Sequence, residues 1–204
     1  MGKPPKIISV DMNTIIFATN NENKVSEVKS IVLEKFNIIS LKEAGIEIDI
    51  AEPFDTLEEN AKEKAKVIYE LSHQDCFSED TGLEVKSLNG EPGVKSARYA
   101  GEARSFENNI DKLLSKLADT TDRLARFRTV ICLMYKGKTV FFEGICQGSI
   151  VAERRGSAGF GYDSVFVPDG SIKTFAEMTM AEKNSFSHRK KAIEKLTGYL
   201  LSSS

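Results

Sequence analysis

The stretch FATNNENKVSEV (residues 17–28) sets a polar run, Thr19, Asn20, Asn21, Glu22 and Asn23, between an apolar segment and Lys24. A polar loop between a strand and a helix can aim backbone N–H, hydroxyl and amide donors at an anion, and the helix dipole adds partial positive charge. Lys24 adds a full charge in the first turn. The dipole disfavours a cation there, so a bound phosphate would account for the lysine. A capped helix with a solvated lysine accounts for the same residues, because the loop is neither a P-loop nor the glycine dinucleotide fingerprint.

Three more stretches carry side chains able to do chemistry. Glu79 and Asp80 close the run DCFSED (75–80) and precede Thr81-Gly82, while Glu52 stands before Pro53 in another connection. In open α/β sheets ligands gather beyond the carboxyl ends of strands. Two or three carboxylates plus substrate phosphates suit Mg2+, which keeps several waters. Capping and turn formation are the alternative uses of such acids. In GFGYDSVF (159–166), glycines flank Phe160, whose ring on a bend could stack on a nucleobase, and Asp163 could accept hydrogen bonds from the base edge. Phe160 and Tyr162 as hairpin core is the plainer alternative. In EKNSFSHRKKAIEKL (182–196), Lys183, His188 and Arg189 could aim donors at one acceptor-rich ligand, or simply form a solvated basic helix end.

Positioning these residues takes a regular scaffold. Thr14–Ala18 reads as a short, doubly buried strand, residues 24–36 as an amphipathic helix, and Asn37–Leu41 as a second strand, a βαβ start with parallel pairing. A helix over about 56–71 has Thr56 as cap and Glu59 three residues on. DCFSED reads as a short strand, and LEVKSLNGEPG as a hairpin turning at Pro92-Gly93. Residues 105–118 form a helix with Phe106, Ile110, Leu113, Leu114 and Leu117 inward. Arg126–Tyr135 and Thr139–Glu153 form a long antiparallel hairpin; a Gly-rich stretch and a final helix over roughly 187–201 follow.

Bulk properties narrow the classes. The 204 residues suit one domain, or one domain with two lobes. A net charge of -2 argues against a nucleic-acid partner. No apolar run approaches the roughly 18–20 residues of a membrane span, and no secretory signal is expected. Cys76, Cys132 and Cys146 read as reduced core residues of a cytoplasmic protein. Since MNTIIFATNN would itself make a normal start at Met12, residues 1–11 read as an N-terminal extension and 12–204 as a single domain.

Taken together, the stretches resemble the inosine triphosphate pyrophosphatase family. Thr19, Asn21 and Lys24 match its first loop; SEDTGLEV matches its acid-acid-Ser/Thr-Gly-Leu segment. PGVKSARYAGE (92–102), GFGYD (159–163) and EK…SHR (182–189) match the rest, in order over nearly the whole chain. Asn20 stands where the family usually has Gly, a turn that Asn survives by tolerating left-handed φ. Glu79 stands where the family often has Asp.

The resemblance implies an α/β fold: an elongated mixed β-sheet flanked by helices, two lobes around a nucleotide-binding cleft, and a homodimer. It implies Mg2+-dependent cleavage of ITP, dITP and XTP to the monophosphate and pyrophosphate. By position, Thr19–Lys24 and Lys64 would hold phosphates, and Glu52 and Asp80 the metal. Asp80, with Glu79, would activate water, and Thr81 would lie against the substrate. Phe160 with Gly161 and Tyr162, Asp163, Lys183, His188 and Arg189 would contact the base. The rivals are a pyrophosphatase for modified pyrimidine or methylated nucleotides, a nucleotide sensor without hydrolysis, and a structural module.

Overall fold

The computed structural model describes residues 14–32 and 36–203; the expected extension, 1–11, and Met12 lie outside them. Strand β1 (Thr14–Phe17) pairs in parallel with β2 (Asn37–Ser40), from Thr14↔Asn37 to Phe17↔Ser40. It also pairs in parallel with β3 (Cys76–Val85), at Ile16↔Cys76 and Phe17↔Phe77. Ile15, Ile16 and Phe17 are all buried, the signature of a strand covered on both faces. Helix α1 (Glu22–Lys29) starts earlier and stops sooner than its apolar spacing suggests. Its cap is Asn21, and the Ser30 N–H closes it on the Ser26 and Val28 carbonyls.

Helix α2 (Leu57–Ser72) begins as expected, with the Thr56 hydroxyl accepting the Glu59 N–H. Ala61, Ala65 and Ile68 form its buried stripe. Strand β3 does not end at the acids but runs ten residues through them. Its even positions face α2: the Cys76 thiol donates to the Ala65 carbonyl at 3.3 Å, and the Ser78 hydroxyl to that of Ala61. Its odd positions face the other way, as Phe77 shows by stacking on Phe17 at 4.5 Å and 9°. Gly82 admits the next strand closely, since a Cβ there would lie 2.7 Å from the Gly93 carbonyl oxygen.

That next strand, β4 (Pro92–Gly93), is antiparallel to β3, so Pro92-Gly93 is not the turn. The turn falls at Asn89 and Gly90, with φ of 53° and 88°. Helix α3 (Phe106–Lys116), capped by Ser105, buries Ile110 and Leu113, and Leu117 follows them into the core. Phe106 shares their stripe yet is 40% exposed, because the first turn reaches past the core it packs on. Strands β5 (Leu124–Tyr135) and β6 (Lys138–Ile150) are joined by Lys136-Gly137, both at positive φ, as a tight two-residue hairpin requires. Two unanticipated elements follow: β7 (Phe166–Pro168), at the end of the Gly-rich stretch and antiparallel to β6, and beyond it α4 (Met180–Phe186). The chain closes with α5 (His188–Ser202).

Among the described residues the strands form one mixed seven-stranded sheet, ordered β2-β1-β3-β5-β6-β7 with β4 on β3, an α/β fold. The chain divides into two compact units. The first holds the chain up to Asp80, Val130–Glu143 and the chain from Ala192 onward; the second holds Thr81–Thr129 and Gly144–Lys191. Each has its own core: Phe17, Phe77, Ile131, Ile193 and Leu196 in the first; Leu83, Ile110, Leu113, Phe166 and Phe175 in the second. The three cysteines are buried and free, as expected, and burial raises the thiols of Cys76 and Cys132 to about 12. No described helix is long and apolar enough to cross a membrane.

Candidate active site

The first unit carries the loop, Lys24, Lys64 and the acids. The loop satisfies many of its own donors: the Thr19 hydroxyl accepts the Asn21 N–H at 3.1 Å, and Asn21 Oδ1 accepts those of Asn23 and Lys24 at 3.0 and 3.2 Å. The expected cradle of backbone amides is thus largely occupied by capping, because Thr and Asn side chains at a helix start fold back onto it. Asn20 is not among the described residues at positive φ, and its side-chain amide donates to the Ile48 carbonyl at 2.7 Å. Glu22 and Asn23 are exposed on the first turn. Lys24 Nζ lies 3.2 Å from a carboxylate oxygen of Glu79, whose side chain is fully buried. A protein carboxylate, not only a bound phosphate, therefore explains a lysine that opposes the helix dipole.

Pleating separates the two acids. Asp80, with Cys76 and Ser78, faces α2, where the buried Lys64 ammonium donates to it at 3.2 Å and also pairs with Glu52. Burial pushes Lys64 down, but the Asp80 and Glu52 carboxylates together hold its ammonium above the ordinary lysine value. Burial, aided by Glu52, pushes the Asp80 carboxyl above the usual carboxylate range against the pull of Lys64 and Lys24. Two acids share the one Lys64 ammonium, and the Asp80 carboxyl is the one held above its ordinary range. Asp80 Oδ2 is buried without a hydrogen-bond partner.

An orphaned carboxylate oxygen beside a second carboxylate fits a divalent cation. Among the described residues no three or more His, Cys, Asp or Glu side chains gather as a metal-holding group. A two-carboxylate site is what Mg2+ uses when substrate phosphates complete its shell. Lys64, expected to hold phosphates, instead links the two carboxylates.

The second unit carries the residues expected at the base. Gly159 and Gly161 have φ of 78° and 60°, and a Cβ on Gly159 would lie 2.1 Å from Asp163 Oδ2. Only glycine lets that carboxylate accept the Phe160 N–H at 3.0 Å. Asp163 Oδ2 also accepts from Lys183 at 2.6 Å, a pair buried on both sides. Asp163 is therefore the post that fixes Lys183 and the Phe160 bend. The Lys183 ammonium lies 5.4 Å from the centre of the Phe160 ring, and the buried Arg189 guanidinium 5.7 Å. Tyr162 is core: its buried hydroxyl, raised by burial, donates to the Ser96 carbonyl at 2.9 Å. Thr81 shares a 2.6 Å hydrogen bond with the Thr129 hydroxyl.

Phe127, Phe175, Asn109 and Thr179, which the sequence does not single out, complete the support of these side chains. His188 stacks on Phe127 at 4.7 Å and 15°, with Phe175 at 6.3 Å, which fixes the plane of the imidazole. Asn109 holds the SARYAG stretch, accepting the Ala100 N–H at 2.7 Å and donating to the Ala97 carbonyl at 3.0 Å. Lys183 is mounted on α4 by a capping box, in which Thr179 Oγ1 accepts the Glu182 N–H and the Glu182 carboxylate accepts that of Thr179.

Lys173, then the Thr179 N–H, lowers the Glu182 carboxyl from 4.5 to about 2. A folded value below the unfolded one means stability present above about pH 4.5 and lost as pH falls through about 2. Glu182→Gln is expected to melt at a lower temperature than wild type at pH 7, with the gap closing as both are acidified. A gap independent of pH would remove the charged capping box as its source.

A sequence model of the Ham1 family matches residues 15–199. The chain belongs to the Ham1 family. It is 48% identical over 186 residues to a dITP/XTP pyrophosphatase of Christiangramia forsetii, covering 91% of this chain and 98% of that protein. With a dITP/XTP pyrophosphatase of Porphyromonas gingivalis it shares 47% identity over 191 residues, 93% of this chain and 98% of the relative. Among solved structures, the Staphylococcus aureus Ham1 protein superposes with a TM-score of 0.84 at 39% identity, covering 94% of this chain and all of that one. A Coxiella burnetii HAM1 protein gives the same TM-score and coverage at 36% identity. Ham1 relatives named dITP/XTP pyrophosphatase are the class to which the five motifs pointed.

Proposed function

We infer that this Ham1 family chain hydrolyses ITP, dITP and XTP to the nucleoside monophosphate and pyrophosphate, removing non-standard purines from the nucleotide pool. The observation that carries the reading is Asp80: a buried carboxylate sharing one ammonium with Glu52 and holding an oxygen with no hydrogen-bond partner. Glu52 and Asp80 would hold a divalent cation such as Mg2+, which when bound would neutralise phosphate charge and make the attacking water more acidic. Asp80, whose Oδ2 has no hydrogen-bond partner, is the carboxylate placed to accept the water's proton. Lys24 neutralises the phosphates, while Lys64 holds the two carboxylates in register. Glu79 positions Lys24 rather than sharing the water. A cytoplasmic homodimer is the assembly implied by the family resemblance.

Base selection falls to the second unit's side chains. The purines of ITP and XTP present a carbonyl acceptor at position 6, where adenine presents an amino donor. Arg189 and His188 donate to that carbonyl, and Phe160 stacks on the ring. An adenine would set donor against donor in a buried place, a mismatch worth 10⁴-fold or more at sites built for hydrogen bonding. Lys183, committed to Asp163, contributes charge and aromatic contact more than base reading. Arg189→Ala is accordingly expected to cut the ITP-to-ATP ratio of kcat/KM by about 10²-fold. An unchanged ratio would take Arg189 out of base selection.

The test of the reading is a nucleotide panel with Mg2+. ITP, dITP and XTP should release pyrophosphate, with ATP far slower. Binding without release would make the protein a sensor, and faster turnover of modified pyrimidine triphosphates would make it the pyrimidine-type enzyme.

A further inference from the structure

We propose that Phe106, the first residue of α3, is a positioning residue that braces the Phe160 ring in the orientation in which it meets the purine. The proposal rests on the reading of Phe160 as the base platform.

Phe106 is anomalous as a core residue. Ile110 and Leu113 on its own stripe are 2% and 0% exposed, whereas Phe106 is 40% exposed. Its aromatic partner among the described residues is Phe160, at 6.1 Å between ring centres and 47° between planes. A tilted contact at that distance is not a parallel stack, so Phe106 does not cover Phe160 as a face-to-face partner would. The parallel Phe17–Phe77 stack, at 4.5 Å and 9°, covers its faces by comparison.

Phe160 needs outside support. The glycines on either side of it both have positive φ, and the space a Gly161 side chain would fill is open, so the local chain offers little wall to the ring. Asp163 fixes the Phe160 backbone through its N–H but not χ1 or χ2 of the side chain. The ring is met by the buried Lys183 and Arg189 side chains and by Phe106. Phe106 alone of these has no assigned part in the reaction.

Its mount is firm. Ser105 caps the helix, with its hydroxyl accepting the Asn108 N–H. The Arg154 guanidinium donates to the Glu107 carbonyl at 3.0 Å and to the Asp111 carboxylate at 2.8 Å, tying down the first turn.

A brace acts on the fraction of molecules whose ring is competent, and apparent affinity falls by that fraction. An aromatic pair of this kind shifts such an equilibrium by about two- to tenfold. Phe106→Ala is therefore expected to raise KM for ITP about threefold, with kcat within twofold, while Phe106→Tyr keeps the wild-type KM. Inhibition by inorganic tripolyphosphate, which has no base, should be unchanged. The melting temperature should hold, since the ring is substantially exposed.

The deciding measurement is a double-mutant cycle on KM for ITP. Phe160→Ala raises KM more than Phe106→Ala, and the double variant matches Phe160→Ala alone, because the brace acts only through that ring. Additive effects, or an unchanged KM in Phe106→Ala, would overturn the brace while leaving the base platform standing. A lowered KM would overturn it too, by showing that Phe106 competes with the base for the ring. No effect of Phe160→Ala would remove the base platform itself, and the brace with it.

Discussion

Asp80→Asn is expected to reduce turnover of ITP by at least about 10³-fold while nucleotide still binds within a few-fold of wild type. The amide keeps the shape of the carboxylate and loses both of its functions, a charge for the cation and a base for the water. Binding survives because the Lys24 ammonium is held by Glu79 and does not depend on that carboxylate. Glu79→Gln is the control built into the strand. Pleating puts Glu79 on the face away from α2, with Lys24, so its loss should be felt through that lysine as a raised KM. Stopped turnover with Mg2+ and titration with a non-hydrolysable ITP analogue measure the two halves of the statement. A kcat within tenfold of wild type for Asp80→Asn would remove Asp80 from the chemistry.

The second large effect concerns Lys24. Lys24→Ala is expected to weaken triphosphate binding by about 2–3 kcal/mol, and binding of the nucleoside inosine by much less. Its side chain is only 15% exposed, so an ammonium there is less screened than a surface lysine and acts strongly on a phosphate. Glu79 holds the ammonium in place before substrate arrives, which lowers the ordering needed on binding. Equal losses for triphosphate and nucleoside would mean that Lys24 shapes the unit generally and does not grip phosphates.

What could be read in advance followed from local physics. The apolar run at β1, the Thr56 cap with Glu59 three residues later, and the alternating strands β5 and β6 each announce themselves within a dozen residues. The acids, the GFGYD bend and the His188-Arg189 pair were visible as residue types. What hid was long-range. That Lys24 meets Glu79, and Lys64 both Glu52 and Asp80, depends on which strands become neighbours, and no local pattern specifies that pairing.

Other misses had local causes. Glu79 and Asp80 look like a strand terminus, yet β3 runs through them, because a covered sheet tolerates acids that lysines meet. Helix α4 is seven residues long with only Lys183 buried, so it shows no apolar stripe, although Thr179…Glu182 is a capping-box spacing, and Thr174…Glu177 is another. Helical spacing marks the face that Phe106 shares with Ile110 and Leu113 but not how far the core extends along it.

The central claim is attack at the α-phosphorus by a water that Asp80 deprotonates, with pyrophosphate leaving. Hydrolysis of ITP with Mg2+ in ¹⁸O-enriched water, followed by mass analysis of both products, tests it most directly. The label should appear in IMP, leaving pyrophosphate unlabelled, and should fail to appear in either product with Asp80→Asn. Label in pyrophosphate, or release of orthophosphate and a diphosphate, would contradict the account.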